Sequence, residues 1–404
     1  MRLIPVPKDK YEDYRLDVIF KGYKWDPQYL DNNTISRYVL VITEQEHLEL
    51  ERLTEQLAEE TVMAERLLIA EPGTTKPLML PRKIHRELRS IKNYRAEDHL
   101  RLMRFDFHPL DTGGWALSEV NSDVPGGLAE ASLLTGIALE LLGDNSYWYK
   151  DFGDTLIKAI SGKVKTNGCV MMVHCTSYSD DRQVMQFVGD RLSKTGYTVI
   201  YGAADHIRFT NGRAFCILGG NNSEIDLIFR FTPVEWLIGI KPKRWQGYFD
   251  TVTASCNHPA AIFAQTKRFP FVWDRLEQYG IKMTAWRELL PETLEVKDAR
   301  VDEEFIYKPV YGRVGEGISI REACSNDEYT KILKDVKRHP KRYIAQRQFF
   351  GSSLTGSDGT GHHICIGSYS VEGKAAGYYA RISKSPRIDS NAADIPVLIE
   401  RIVK

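Results

Sequence analysis

The chain reads as a mixed α/β protein of two or three lobes, and three observations carry that expectation. Strand-like and helix-like stretches alternate through residues 168–240, and strand–helix–strand units of that length imply a parallel sheet. Residues 100–108 and 115–121 alternate polar and apolar side chains, the period of a half-buried strand, on either side of the turn Asp111-Thr112-Gly113-Gly114. A chain of 404 residues also exceeds what one simple core ordinarily serves. We therefore expect N-terminal helices and a strand hairpin over 1–160, an α/β lobe over 161–255, and a further α/β region over 256–404.

Taken in order, residues 1–40 are rich in aromatics and show little periodicity. Thr43-Glu44-Gln45-Glu46 has the capping-box pattern and opens a long amphipathic helix. Its apolar face is Leu50, Leu53, Leu57, Ala64, Leu67 and Leu68, and Glu71-Pro72-Gly73 ends it. A second helix starts near Pro81, proline being favoured in the first turn, and runs to about Ser90. The two strands at 100–108 and 115–121 place Arg104 and Asp106 on one face, across from Glu119 and Asn121. Val124-Pro125-Gly126-Gly127 breaks that pairing before a helix over 128–142. Strands at 169–174, 197–201 and 225–231, a helix from about 179 to 195, a hairpin turn at Asn211-Gly212 and a helix from Pro233 make up the middle lobe. Gly351–Gly361 is too polar to pack and predicts a mobile loop.

Lysine plus arginine and aspartate plus glutamate each total 54, so the net charge is zero, which argues against a nucleic-acid partner. The six cysteines form no CxxC pair and no zinc spacing with histidine; His108 and His362-His363 are expected to be structural or surface residues. The opening MRLIPVPKDKYEDYR lacks a signal-peptide core and no segment is long enough to span a bilayer. The expectation is a cytoplasmic protein without a membrane partner.

Chemistry is suggested by two stretches. Tyr307 to Ile320 (YKPVYGRVGEGISI) reads as strand, glycine-rich turn, strand, and such a turn lets backbone N–H groups approach phosphate oxygens. Lys308 would then put a point charge on a triphosphate, and Arg313 a planar fork on a transferring phosphoryl group. Glu119-x-Asn121 with Asp106 offers hard oxygens from one hairpin face, the donor type that Mg²⁺ shares with phosphate oxygens. A plain turn and an exposed polar face are the alternatives.

The arrangement as a whole resembles the ATP-grasp ligases of the glutathionylspermidine synthase type, from about residue 14 to the C-terminus. The motifs that carry it are RFD at 104–106, EVNSDVP at 119–125, TKRFPFVW at 266–273, YKPVYGRVGEG at 307–317, IAQ at 344–346 and GYYARIS at 377–383. Metal ligands precede the lysines, the order of the circularly permuted branch of that fold. The resemblance implies Mg²⁺ on Asp106, Glu119 and Asn121, and ATP on Lys267 and Lys308 under the Gly315 backbone, with Gln346 near the adenine. It implies that Arg104, Arg313 and Arg381 bind the acyl substrate or neutralise the phosphoryl transition state. Lids are expected at Gly312–Gly317 and Gly351–Gly361.

Some positions depart from the family. No cysteine precedes Cys169, so the amide-cleaving activity of bifunctional relatives is not expected. Val124 and Gly126 stand where relatives place hydroxyl side chains on a thiol peptide. An acidic pair that faces the polyamine corresponds to Asp180-Asp181, residues that are also good helix N-caps. A later acidic position falls at or beside Ala393-Asp394. The function implied is an ATP- and Mg²⁺-dependent ligase joining a small-molecule or peptide carboxylate to an amine through an acyl phosphate. A catalytically silent ATP-binding protein and a phosphotransferase are the alternatives.

Overall fold

The computed structural model describes residues 1–401 except 93, 221 and 300–303. Its largest sheet has six strands and draws on distant parts of the chain. The order is Ala393–Ile395, Lys374–Ser383, Gly361–Val371, Leu102–Pro109 and Trp115–Asn121, with Ser353–Thr355 pairing onto Gly361–Val371. All these pairings are antiparallel. The strands 102–109 and 361–371 thus bring the acidic hairpin beside Arg381, more than 250 residues later in the chain.

The helix Glu44–Ala70 covers the back of this sheet. Its start is fixed by the predicted capping box: Glu46 N–H donates to Thr43 Oγ1 at 3.2 Å, and Thr43 N–H donates to Glu46 Oε2 at 2.8 Å. Leu50, Leu53, Leu57, Ala64 and Leu68 are buried and Leu67 is half-buried. Thr54 donates to Ser368 Oγ at 2.7 Å, and His47 meets the Tyr378 hydroxyl at 2.8 Å, so polar groups also tie helix to sheet.

The middle lobe is a parallel sheet in the order Ala254–Cys256, Leu227–Arg230, Cys169–Val173, Thr198–Gly202. Helix Ser179–Lys194 connects two of these strands and begins at the edge of the cleft described below. Asn211 and Gly212 both have positive φ, 52° and 76°, as a two-residue hairpin turn requires. A buried ion pair, Arg230 with Asp123, joins this lobe to the end of the acidic hairpin, and Val234 N–H donates to the other Asp123 oxygen at 2.8 Å.

Three stretches differ from expectation. Phe305–Pro309 does not return as a hairpin; it pairs with Tyr343–Arg347, which pairs in turn with Thr293–Glu295. Pro309 has no N–H, and Val314, Gly315 and Gly317 all have positive φ, so the backbone turns away instead of forming a ladder. The region 128–142 opens with a π-turn at Glu130–Leu134 before the α-helix Thr135–Leu142. The first 40 residues are ordered: strand Arg2–Pro5, helix Tyr11–Phe20 and strand Tyr38–Thr43, the helix burying only Tyr11, Tyr14 and Val18. Among the described residues no helix is long and apolar enough to cross a membrane.

Candidate active site

A cleft of about 830 Å³ opens between the six-stranded sheet, the Lys308 strand and the parallel lobe. Arg104, Asp106, Glu119, Asn121, Lys308, Arg313, Gly315 and Arg381 all line it, as do Asp180 and Asp181. Lys267 and Gln346 do not. They line a small neighbouring cavity of about 20 Å³ that shares Ser118 and Glu119 with the cleft.

The acidic hairpin sets the geometry. Asp106 stands directly opposite Glu119, and Arg104 opposite Asn121, so all four project from one face. The ladder slips by one residue just beyond, where Phe107 pairs with Leu117 and Ser118 is left over. The Ser118 carbonyl accepts from Lys308 Nζ at 3.3 Å. Arg104 grips Asp106 with both ends of its fork, at 2.7 and 2.9 Å, and donates a third bond to the Gly126 carbonyl at 2.8 Å. Asn121 donates its Nδ2 to Asp106 at 3.0 Å, so its contribution to a cation is Oδ1.

Lys267 sits 2.8 Å from Glu119 Oε2 and donates to the Gly312 carbonyl at 2.8 Å, linking the hairpin to the glycine-rich turn. Burial pushes Glu119 towards its neutral form, but Lys267, Lys308 and Arg104 outweigh it and hold the carboxyl below its usual range. Lys308 is pushed down to about 8, by burial first and by Lys267 second, against the pull of Glu119. The half-buried His108 is pushed down to about 3 by burial and by Lys308.

The remaining expected residues are placed as follows. Arg313 bonds Glu235 at 2.7 Å and lies over the Trp236 ring at 5.0 Å, so the glycine-rich turn rests on the parallel lobe. At Gly315, φ is 69° and an added Cβ would fall 2.6 Å from the Ile388 carbonyl, a position only glycine fills. Arg381 donates to the carbonyls of Asp389 and Ala392 at 2.7 and 2.9 Å. Gln346 is buried, donates to Thr293 at 3.0 Å, and keeps an Oε1 without a partner. Asp180 and Asp181 are not caps: the N-cap is Tyr178, and the two carboxylates occupy the first turn. The backbone N–H of Cys175, before the helix, donates to Asp181 at 3.3 Å. Burial, helped by Asp180, pushes Asp181 up to about 6. Val124 and Gly126 also line the cleft.

Lys24 and Asp26, from the aperiodic N-terminal stretch, also line the cleft, together with Tyr379 and Asp394. Nothing in the spacing around Lys24 distinguishes it from a surface lysine. His108 and His363, expected in the core or on the surface, line the cleft too.

The donor set suits a hard divalent cation. Two carboxylates and a carboxamide offer only oxygen, and two of the three stand opposite one another. Among the described residues no three His, Cys, Asp or Glu side chains group to hold a metal alone. An ion here would share its shell with phosphate oxygens, the usual habit of Mg²⁺.

The family model described as "Glutathionylspermidine synthase preATP-grasp" matches residues 8–400. No curated protein sequence matches. A crystal structure described as "Putative gamma-glutamylcysteine synthetase" from Methylobacillus flagellatus KT is similar, with TM-score 0.46 and 15% identity over 84% of this chain and 88% of that one.

Proposed function

Because the chain belongs to the glutathionylspermidine synthase preATP-grasp family, we propose that it is an ATP- and Mg²⁺-dependent ligase that joins a carboxylate to an amine. The observation that carries this reading is the convergence of Asp106, Glu119 and Asn121 with Lys308 and three arginines on one cleft. A substrate carboxylate repels a triphosphate, so cations must screen both before oxygen attacks the γ-phosphorus.

Asp106, Glu119 and Asn121 would hold Mg²⁺, which supplies charge neutralisation at the phosphate oxygens when bound. Lys308 would neutralise phosphate from the opposite wall, and Lys267, exchanging Glu119 for phosphate, would do so from the side. Gln346, whose Oε1 lacks a partner, has an acceptor to offer the exocyclic amine of adenine. Arg313 and Arg381 would bind the carboxylate and the transferring phosphoryl group. Arg104 is committed to Asp106 and Gly126, so its part is to orient Asp106 for the ion. The acyl phosphate so formed is attacked by the amine, giving an amide and releasing phosphate. The Gly312–Gly317 turn, resting on Glu235 and Trp236, would shield that intermediate from water.

The substrates are a small-molecule or peptide carboxylate and an amine, the amine drawn to Asp180 and Asp181. Val124 and Gly126 offer no side-chain hydroxyl, which separates the acyl pocket from one built for glutathione. The test is ADP release with pooled carboxylates and amines. Lys308→Ala should lower it by about 10³-fold or more with the far-UV spectrum unchanged; unchanged release would end the proposal. Hydroxylamine should trap an acyl hydroxamate. A silent nucleotide-binding protein has one supporting observation, that Asp106 and Glu119 are already neutralised by Arg104 and Lys267. ATP binding by calorimetry with no turnover against any pool would favour it.

A further inference from the structure

Lys24 is 5% exposed, yet its ammonium is not in the apolar core. It reaches from the stretch between helix Tyr11–Phe20 and strand Tyr38–Thr43 to the wall of the cleft. There it lies 2.7 Å from Asp394 Oδ2, 2.8 Å from Asp26 Oδ1 and 3.3 Å from Glu130 Oε1. Three carboxylates on one ammonium leave negative charge in excess. Glu130 is only 7% exposed, takes a bond from Gln183 Nε2 at 3.1 Å on the oxygen that faces Lys24, and keeps its Oε2 without any partner. Tyr379 donates to Asp394 Oδ1 at 2.7 Å, and Arg381 stands 3.7 Å from the same oxygen. These contacts hold Asp394 in place whether or not Lys24 is present. A buried carboxylate oxygen without a donor is costly, and the cluster keeps one because it is built around a cation.

We propose that Lys24 is a tethered ammonium seated in a primary-ammonium subsite of the cleft, and that it sets acceptor choice by excluding amines that need a second cation at that end. The occupancy of the subsite stands on the contacts above. The consequence for acceptors rests on the ligase reading.

Lys24→Ala removes three methylenes and the ammonium, so n-propylammonium is the probe that matches the space left. Thermal unfolding of the full chain is followed against n-propylammonium chloride at constant ionic strength, with tetramethylammonium and n-propanol as controls. The expected result is saturable stabilisation of Lys24→Ala at concentrations at least tenfold lower than any needed for the unsubstituted chain, with both controls flat. Lys24→Met fills the space without charge and should not respond. Equal response of the unsubstituted chain, or none in Lys24→Ala, overturns the proposal. Should Lys24→Ala not fold, Lys24→Ala with Glu130→Gln removes one carboxylate and retains Asp26 and Asp394; the same response is expected, and its absence is equally fatal. In ADP-release assays, Lys24→Ala should raise the kcat/KM ratio of diamines over monoamines at least tenfold, and an unmoved ratio overturns the acceptor claim. If no amine supports turnover in either protein, the ligase reading fails while probe binding still decides the subsite.

Discussion

At each end of the cleft a lysine neutralises carboxylates from within, but the balance of charge is opposite. Beside the acidic hairpin, Asp106 and Glu119 face three cations, Arg104, Lys267 and Lys308. At the far end Asp26, Glu130 and Asp394 face Lys24 and Arg381, and Asp180 and Asp181 add to the acidic side. Excess positive charge in a low-dielectric wall suits a polyphosphate, and excess negative charge suits an ammonium group. One cavity can then hold two reactants of opposite sign and keep each out of the other's place.

The contrast can be broken most strongly at Glu119. Glu119→Gln removes the carboxylate that Lys267 and a cation would share, so ADP release should fall about 10²-fold. The Mg²⁺ concentration for half-maximal rate should rise as well, and a fall in rate with no change in Mg²⁺ requirement would contradict the assignment. A smaller effect follows from Lys308, whose folded value of about 8 lies below the ordinary 10.5. As pH rises through about 8 the cationic end loses a charge, so kcat/KM for the nucleotide should decline there. Lys308→Arg stays charged and should shift that limb out of range. The sign for stability is opposite. Between about 8 and 10.5 the unfolded chain binds the proton that the folded chain has lost, so this group alone makes stability rise with pH across that window.

The least effect is expected at Asp181, raised to about 6 from 3.8. Here the folded chain holds the proton longer, and its contribution to stability falls as pH climbs from about 4 to 6. Asp181→Asn should therefore unfold at the same or a slightly higher temperature at pH 7, while KM for the amine rises and KM for ATP stays put. A rise in both would mean that the substitution disturbs the nucleotide end as well.

How much of this was legible in the sequence also differs between the ends. The acidic hairpin could be read because alternation fixes which strand side chains share a face; Arg104, Asp106, Glu119 and Asn121 needed nothing more. Lys308 was legible through its motif, but its strand partner was not, because Tyr343–Arg347 lies more than 30 residues on and no local pattern announces it. Lys24 was invisible. Its stretch has no period, and its meaning comes from Glu130 on a π-turn and Asp394 on a late strand, contacts across 106 and 370 residues. Asp180 and Asp181 fell between, recognisable as acidic but misread as caps, since the first turn and the cap differ by one or two residues.

The strand Val397–Glu400 lies between Tyr38–Thr43, which it meets in parallel, and Tyr147–Trp148. A ribosome must therefore release nearly the whole polypeptide before that small sheet can close. Asp394 and Arg381 arrive with the same late segment, so a nascent chain would carry its phosphate-facing half long before its amine-facing half. Such late closure favours slow maturation and an exposed intermediate.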